Sequence, residues 1–200
     1  ETPAGQQAMV DMGEHRRIRI GDGLGTMHLI VMVLSHSRKK YGEWYDRPIS
    51  TELFLGFHQR AFRALGGVPA QVVYDQTRLV VLQERWGECE FNSDFYALAR
   101  YCDFEPYICN AYDPQTKGKI ESVVRYAKHG FLPGRTFRDA EDVQRQWEEW
   151  VETVADVKVH ETTGHAPLQL WKQEREQLKP LPEGSLCIEP SYEKRRVLDN

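Results

Sequence analysis

An α/β fold, a mixed sheet with helices packed on its faces, is what the order of hydrophobic periodicities in this sequence predicts. Three observations carry the prediction. Apolar or alternating runs of strand length cluster before residue 35, ahead of any helical repeat. From Thr51 onward, helical repeats alternate with short apolar runs. Glycine, proline and Asx residues mark the joins between them.

Residues 1–7 read as a lead-in. Ala8-Met9-Val10-Asp11-Met12 is a short apolar strand with a carboxylate inside it. Arg16 to Ile20 alternates charged and apolar residues, as an exposed strand does. Gly21-Asp22-Gly23-Leu24-Gly25 contains Asp-Gly, a strong turn signal. Met27 to Leu34 is almost continuously apolar and suits a central strand. These runs and their tight connections predict an antiparallel meander.

Thr51 to Leu65 is expected as a helix. Ser50 or Thr51 can cap it, Leu53, Phe54, Phe57, Ala61 and Leu65 recur at helical spacing, and Gly66-Gly67 followed by Pro69 ends it. Gln71 to Tyr74 is a short strand that runs into Asp75. Asn92 or Ser93 caps a second helix through Tyr101, and Glu105 to Asn110 is another strand. Asp113-Pro114 opens a loop. Lys119 to Phe131 is a helix with Ile120, Val123, Val124, Ala127 and Phe131 on its apolar face. Asp139 to Val154 is a last long helix, with Trp147, Trp150, Val151 and Val154 on one side. Beyond Pro180 the chain is rich in proline, glycine and charge, as a linker is. The expected organisation is a lead-in over 1–7, one core over 8–178 and a linker over 179–200.

Two hundred residues suffice for one domain with a sizeable core. With 40% hydrophobic and 28% charged residues, the composition is that of a globular protein rather than a disordered one. The longest apolar run, Leu29 to Leu34, is too short to span a bilayer, and no signal-peptide pattern opens the chain. Cys89, Cys102, Cys109 and Cys187 form no C-x-x-C pair, so they read as reduced thiols of a cytoplasmic protein. The chain opens on Glu1 and stops in mid-pattern at Asn200, as a piece of a longer protein would. A net charge of -4 excludes binding to nucleic acid by bulk charge alone. Local basic clusters, with carboxylates kept for another purpose such as holding metal, remain compatible with it.

Three carboxylates stand out by context. Asp11 lies inside an apolar strand, Asp75 directly follows Val72-Val73-Tyr74 at a strand's C-terminal end, and Glu121 lies early in a helix after Gly118-Lys119. Ligand sites of sheets with parallel strands gather at such strand ends. Taken singly, each also fits a structural role as turn residue, helix-dipole partner or ion-pair member. Lys117, Glu121, Arg125 and Lys128 share one helix face, which would set a carboxylate among cations able to meet phosphate. Phosphodiester transfer can use such a set, because two Mg²⁺ ions about 4 Å apart activate the attacking oxygen and stabilise the leaving one. Arg16, Arg17 and Arg19 form one further basic cluster, and Arg38, Lys39 and Lys40 another. Each is a candidate for DNA phosphate or for plain solvated surface. His160 reads as a helix-end or packing residue, and Trp147 and Trp150 as packing residues.

From Gly5 to Pro182 the sequence resembles the IstA-type insertion-sequence transposases, within the superfamily of DDE transposases and retroviral integrases. The first block is Gly5-Gln6-Gln7-Ala8-Met9-Val10-Asp11-Met12-Gly13. The second runs from Gly66-Gly67-Val68-Pro69 into Val73-Tyr74-Asp75-Gln76. The third is Lys117-Gly118-Lys119-Ile120-Glu121, and His160-Glu161-Thr162-Thr163 with Pro167 resembles the end of the family's core. Met12 departs from the family's usual Trp, and Gln76 from its usual Asn. The resemblance implies a ribonuclease-H-like, mixed five-stranded sheet with flanking helices. It implies that Asp11, Asp75 and Glu121 are catalytic and hold Mg²⁺ or Mn²⁺ for DNA 3′-end cleavage and strand transfer. DNA contacts are expected from Lys117, Lys119, Arg125, Lys128, Arg38, Lys39 and Lys40. Transposon-end and target DNA, a homo-oligomer on that DNA and an ATPase helper are the implied partners, with no membrane. A helix-turn-helix region before residue 1 and a small β domain after Asn200 are implied likewise. The alternatives are an integrase-fold binding module without chemistry, and a related nuclease that cuts without joining.

Overall fold

A computed structural model describes residues 2–75, 77, 79–85, 88–109, 124–161 and 163–184. Its elements are β1 (Gln7–Ile20), β2 (Gly23–Leu34), β3 (Lys40–Tyr45), α1 (Thr51–Leu65), β4 (Gln71–Tyr74), β5 (Val81–Arg85), β6 (Glu88–Phe91), α2 (Ser93–Cys102), β7 (Glu105–Ile108), α3 (Ala140–Trp150) and α4 (Pro167–Glu174). A five-stranded sheet runs in the order β3-β2-β1-β4-β7, and β5 and β6 form a separate hairpin. The β1–β2 and β2–β3 pairs are antiparallel, while β1–β4 and β4–β7 are parallel. The expected mixed five-stranded sheet is therefore present.

The expected strands at 8–12 and 16–20 are one continuous β1. Their separation in sequence reflects a β-bulge between Arg16 and Ile18, where Arg17 takes φ 62°. An extra residue there shifts the alternation, so His15 and Ile18 both turn inward. α1 has the expected bounds. The Ser50 hydroxyl accepts from the Leu53 N–H at 3.2 Å, and Gly66, at φ 91°, closes the helix in a left-handed conformation that suits glycine.

One face of the sheet carries Ala8, Val10, Ile30, Met32, Val72 and Tyr74, packed under α1 and α2. The other carries Leu29, Val31 and Val33 under Ala127, Phe131, Trp147 and Trp150. The last long helix ends earlier than its apolar repeat suggests. After Trp150 it widens into a π-type turn, Val151–Ala155, with the Asp156 N–H bonded to the Val151 carbonyl. The wider turn moves Val154 off the tryptophan stripe, and it is exposed.

Strand β3, the hairpin β5–β6 and α4 were not signalled by periodicity. In β3 the charged residue at the centre and the open strand edge both find specific partners. Glu43 accepts from Tyr41, Tyr45 and the Arg60 guanidinium of α1. The Gln144 side chain of α3 completes the strand's open edge, accepting from Trp44 N–H at 2.8 Å and donating to the Gly42 carbonyl at 3.2 Å. That cover blocks edge-to-edge pairing. α4 closes the core from below. Its Glu174 is fully buried and accepts from the N–H groups of Gly5 and Ser37. Packing continues past residue 178, since Lys179 pairs with Val68 and its ammonium reaches Asp103. No helix among the described residues is long and apolar enough to cross a membrane.

Candidate active site

Strand register brings the first two candidate carboxylates together. In the parallel β1–β4 pair, Val10 lies opposite Tyr74, the last residue of β4. Asp11 and Asp75 directly follow these two residues in sequence. Adjacent strands stand about 4.8 Å apart, so both acids leave the paired region as neighbours at its C-terminal end. That is where ligand sites of sheets with parallel strands gather. Asp11 is half-buried, opposite Val31 of β2, and its Oδ1 accepts from the Met12 N–H at 2.8 Å. Asp75 is exposed.

The end of β4 is anchored from behind. Tyr74 is buried, and its hydroxyl donates to His58 Nε2 of α1 at 2.9 Å. Nδ1 of the same imidazole donates to the Phe54 carbonyl at 2.7 Å, which fixes the tautomer. Burial pushes the His58 pKa down to about 4, so the ring is neutral and both its nitrogens are satisfied.

On the Asp11 side of the sheet, Gly13 allows a helix to come close. A Cβ there would sit 2.3 Å from Val124 Cγ1, so no larger residue fits without moving one of them. The helical segment 124–131 crosses β1 at this point, with Val124, Ala127 and Phe131 inward. Arg125 and Lys128 are exposed on it. His15 lies on the same strand face, buried beside Trp44 with ring centroids 5.0 Å apart. Burial first, then Lys128 and His28, push its pKa down to about 4. Its Nε2 has no hydrogen-bond partner among the described residues. Sequence reading passed over His15. The available signal was its spacing of two from Gly13 and four from Asp11 in an alternating strand.

Glu121, Lys117 and Lys119 lie outside the described residues. No cluster of three metal-ligating side chains occurs among the described residues. The donor chemistry of Asp11 and Asp75 nevertheless fits a hard divalent cation, which takes carboxylate oxygens and keeps several waters.

Arg38, Lys39 and Lys40 are not brought to this end. Arg38 and Lys39 sit in the β2–β3 turn and Lys40 opens β3, where Leu34 pairs with Ala8, at the opposite end of β1's paired region. The Lys39 ammonium meets Asp156 Oδ2 at 2.5 Å, and that of Lys40 meets Oδ1 at 3.2 Å. Lys40 is buried, and its ammonium also reaches the Ala155 carbonyl. These lysines tie β3 to the turn after α3. His160, expected as a packing residue, is half-buried near this cluster, and Arg38 and Lys40 lower its pKa after burial does.

The order of strands, the two carboxylates at the parallel strand ends and the helical cover over β1 define a ribonuclease-H-like domain of the integrase-core type. Solved structures agree on the fold. The catalytic core of bovine immunodeficiency virus integrase matches 86% of this chain and 97% of its own, with a TM-score of 0.59 and 10% identity. A simian T-cell lymphotropic virus intasome in complex with the PP2A regulatory subunit B56 gamma matches 92% of this chain and 59% of its own, with a TM-score of 0.56 and 14% identity. By sequence, the chain is a homologue of the IS21-type insertion-sequence transposases. It is 35% identical over 181 residues to the transposase for insertion sequence element IS21-like of Bacteroides fragilis, covering 90% of this chain and 35% of the relative. It is 33% identical over 182 residues to the putative transposase for IS5376 of Geobacillus stearothermophilus, covering 91% of this chain and 45% of the relative. The chain thus spans between a third and a half of these relatives. No family model matches it.

Proposed function

We propose that this chain is the catalytic core of an insertion-sequence transposase, in which Asp11, Asp75 and Glu121 hold Mg²⁺ or Mn²⁺ for DNA 3′-end cleavage and strand transfer. The observation that carries the reading is the β1–β4 register, which sets Asp11 and Asp75 side by side. Homology to transposases supports it independently.

Bound divalent ions would supply Lewis-acid activation of the attacking oxygen and neutralisation of the leaving one. The protein's own residues do the positioning. Asp11 and Asp75 offer acceptor oxygens from strands fixed by ladder hydrogen bonds, and the His58–Tyr74 bond holds the second strand's end. Gly13 admits the helical segment that follows Glu121 in sequence. Arg125 and Lys128, with Lys117 and Lys119, are assigned to phosphate. Arg38, Lys39 and Lys40 are left out of that set, because all three lie at the far end of β1's pairing and Asp156 engages both lysines. The reading carries with it a multimer on transposon-end and target DNA and an ATPase helper of the same element.

The test uses Asp11→Asn, Asp75→Asn and Glu121→Gln in the transposase. Each is expected to lower Mn²⁺-supported strand joining at least a thousandfold, about 4 kcal/mol of barrier. The thermal midpoint should not fall. Joined product at the parent's rate in any of the three overturns the assignment.

A further inference from the structure

The β1–β2 hairpin outgrows the sheet that carries it. β4 pairs with β1 only from Gln7 to Val10, yet β1 continues to Ile20 with β2 beside it. Beyond Asp11 the two faces of this arm differ. His15, Ile18 and Met27 turn toward the core under the helical segment 124–131. The opposite face carries the cross-strand pairs Met12 with Ile30, Glu14 with His28, Arg16 with Thr26, and Arg19 with Leu24. From Glu14 outward its β1 residues are exposed. At its root lies a shallow cleft of about 230 Å³ lined by Met12, Gly13, Glu14, His28, Ile49 and Leu79. At its tip lie Arg17 and Arg19.

The bulge explains why the tip is cationic on this side. A regular strand would alternate Arg17 inward and Ile18 outward. The inserted residue lets Ile18 and Ile20 stay with the core while Arg16, Arg17 and Arg19 are all exposed. Arg17 holds φ 62° to do so, a conformation that costs a non-glycine residue of order 1 kcal/mol or more. Arg16 is tied to Glu14. Arg17 and Arg19 have no acidic partner among the described residues, unlike Arg138 and Arg145, which share Asp142. Two uncompensated guanidiniums on a strained bulge, on a chain of net charge -4, mark a place built for an anionic partner.

Building on the transposase reading above, we propose that the exposed arm of the β1–β2 hairpin is a DNA track, with Arg17 and Arg19 at its tip holding backbone phosphates away from the reacting one. Eight residues separate Asp11 from Arg19, or roughly 25 Å of strand. Phosphates repeat every 3.4 Å along one strand, so the contacts fall about seven nucleotides from the reacting phosphodiester.

The experiment measures binding of the transposase to a 40-base-pair transposon-end duplex across a salt series. The variant is Arg17→Asn/Arg19→Gln, since asparagine tolerates the left-handed backbone. The slope of log affinity against log salt should shrink by about 2, one for each lost phosphate contact. Arg17→Lys/Arg19→Lys should restore it. Joining of a duplex truncated to five base pairs beside the reacting phosphate should match the parent. An unchanged slope in the neutral variant, with the parent binding DNA, overturns the track and leaves the transposase reading standing. A parent that binds no DNA overturns both. A lysine variant that fails to restore the slope overturns the phosphate role, and the melting midpoint of each variant separates that outcome from misfolding.

Discussion

Asp156 and the Asp11–Asp75 pair are built from the same side chain and do opposite things. Asp156 is 1% exposed and lies between two ammonium groups, Lys39 and Lys40. Asp11 and Asp75 stand at the ends of neighbouring strands, where two like charges oppose one another. The first arrangement neutralises itself inside the fold and ties β3 to the end of α3. The second collects negative charge at a strand end that opens to solvent at Asp75. An acid surrounded by its own chain's cations ties elements together, whereas two acids at neighbouring strand ends concentrate negative charge.

The two acid sites differ most in what the loss of a carboxylate does. Asp156→Asn should cost about 3–5 kcal/mol of stability, because it leaves buried ammonium without its counter-charge. Urea unfolding would measure it, and a loss below about 1 kcal/mol would mean that the lysines find other partners. Asp11→Asn should show the reverse pattern, with joining lost and the urea midpoint unchanged or raised.

A second test concerns the histidines behind the site. His58 and His15 both titrate near 4 in the folded chain, against an ordinary value of 6.5. Unfolding lets each ring take up a proton that the fold refuses, so stability is full above about pH 6.5 and falls as pH drops toward 4. Each ring contributes up to about 3 kcal/mol across that window. His58→Phe combined with Tyr74→Phe should flatten the fall between pH 6.5 and 4.5 by roughly half. An unchanged pH profile in urea melts would show that His58 is not held neutral.

The smallest effect expected is at Gly13. Gly13→Ala forces a methyl against Val124 and should destabilise by about 1–3 kcal/mol. Shortening the neighbour as well, with Val124→Ala, should recover part of it. A Gly13→Ala protein as stable as the parent would mean that the helix does not seat on β1 at this point.

Much of the fold was legible because its signals are local. Ser50, the i, i+3/i+4 repeat and Gly66 define α1 without help from the rest of the chain. Asp11 and Asp75 were marked as candidates because each interrupts or ends an apolar run. Strand β3 was not legible, because Lys40, Gly42 and Glu43 form a strand only when β2, α3 and Arg60 satisfy them. The early end of the tryptophan helix was hidden for a related reason. A repeat specifies which side is apolar, but a π-type turn changes the phase without changing composition.

Sequence by itself therefore determined most of the sheet and its larger helices, their apolar faces and the acids worth attention, since these follow from short-range periodicity and from charges in apolar runs. Tertiary structure decided which acids are neighbours and which cations are already taken. Asp11 and Asp75 are brought together across 63 intervening residues by one parallel register, and Lys39 and Lys40 are drawn to an acid more than a hundred positions away. Coulomb pairing and strand register both depend on distance in space, which no spacing along the chain contains.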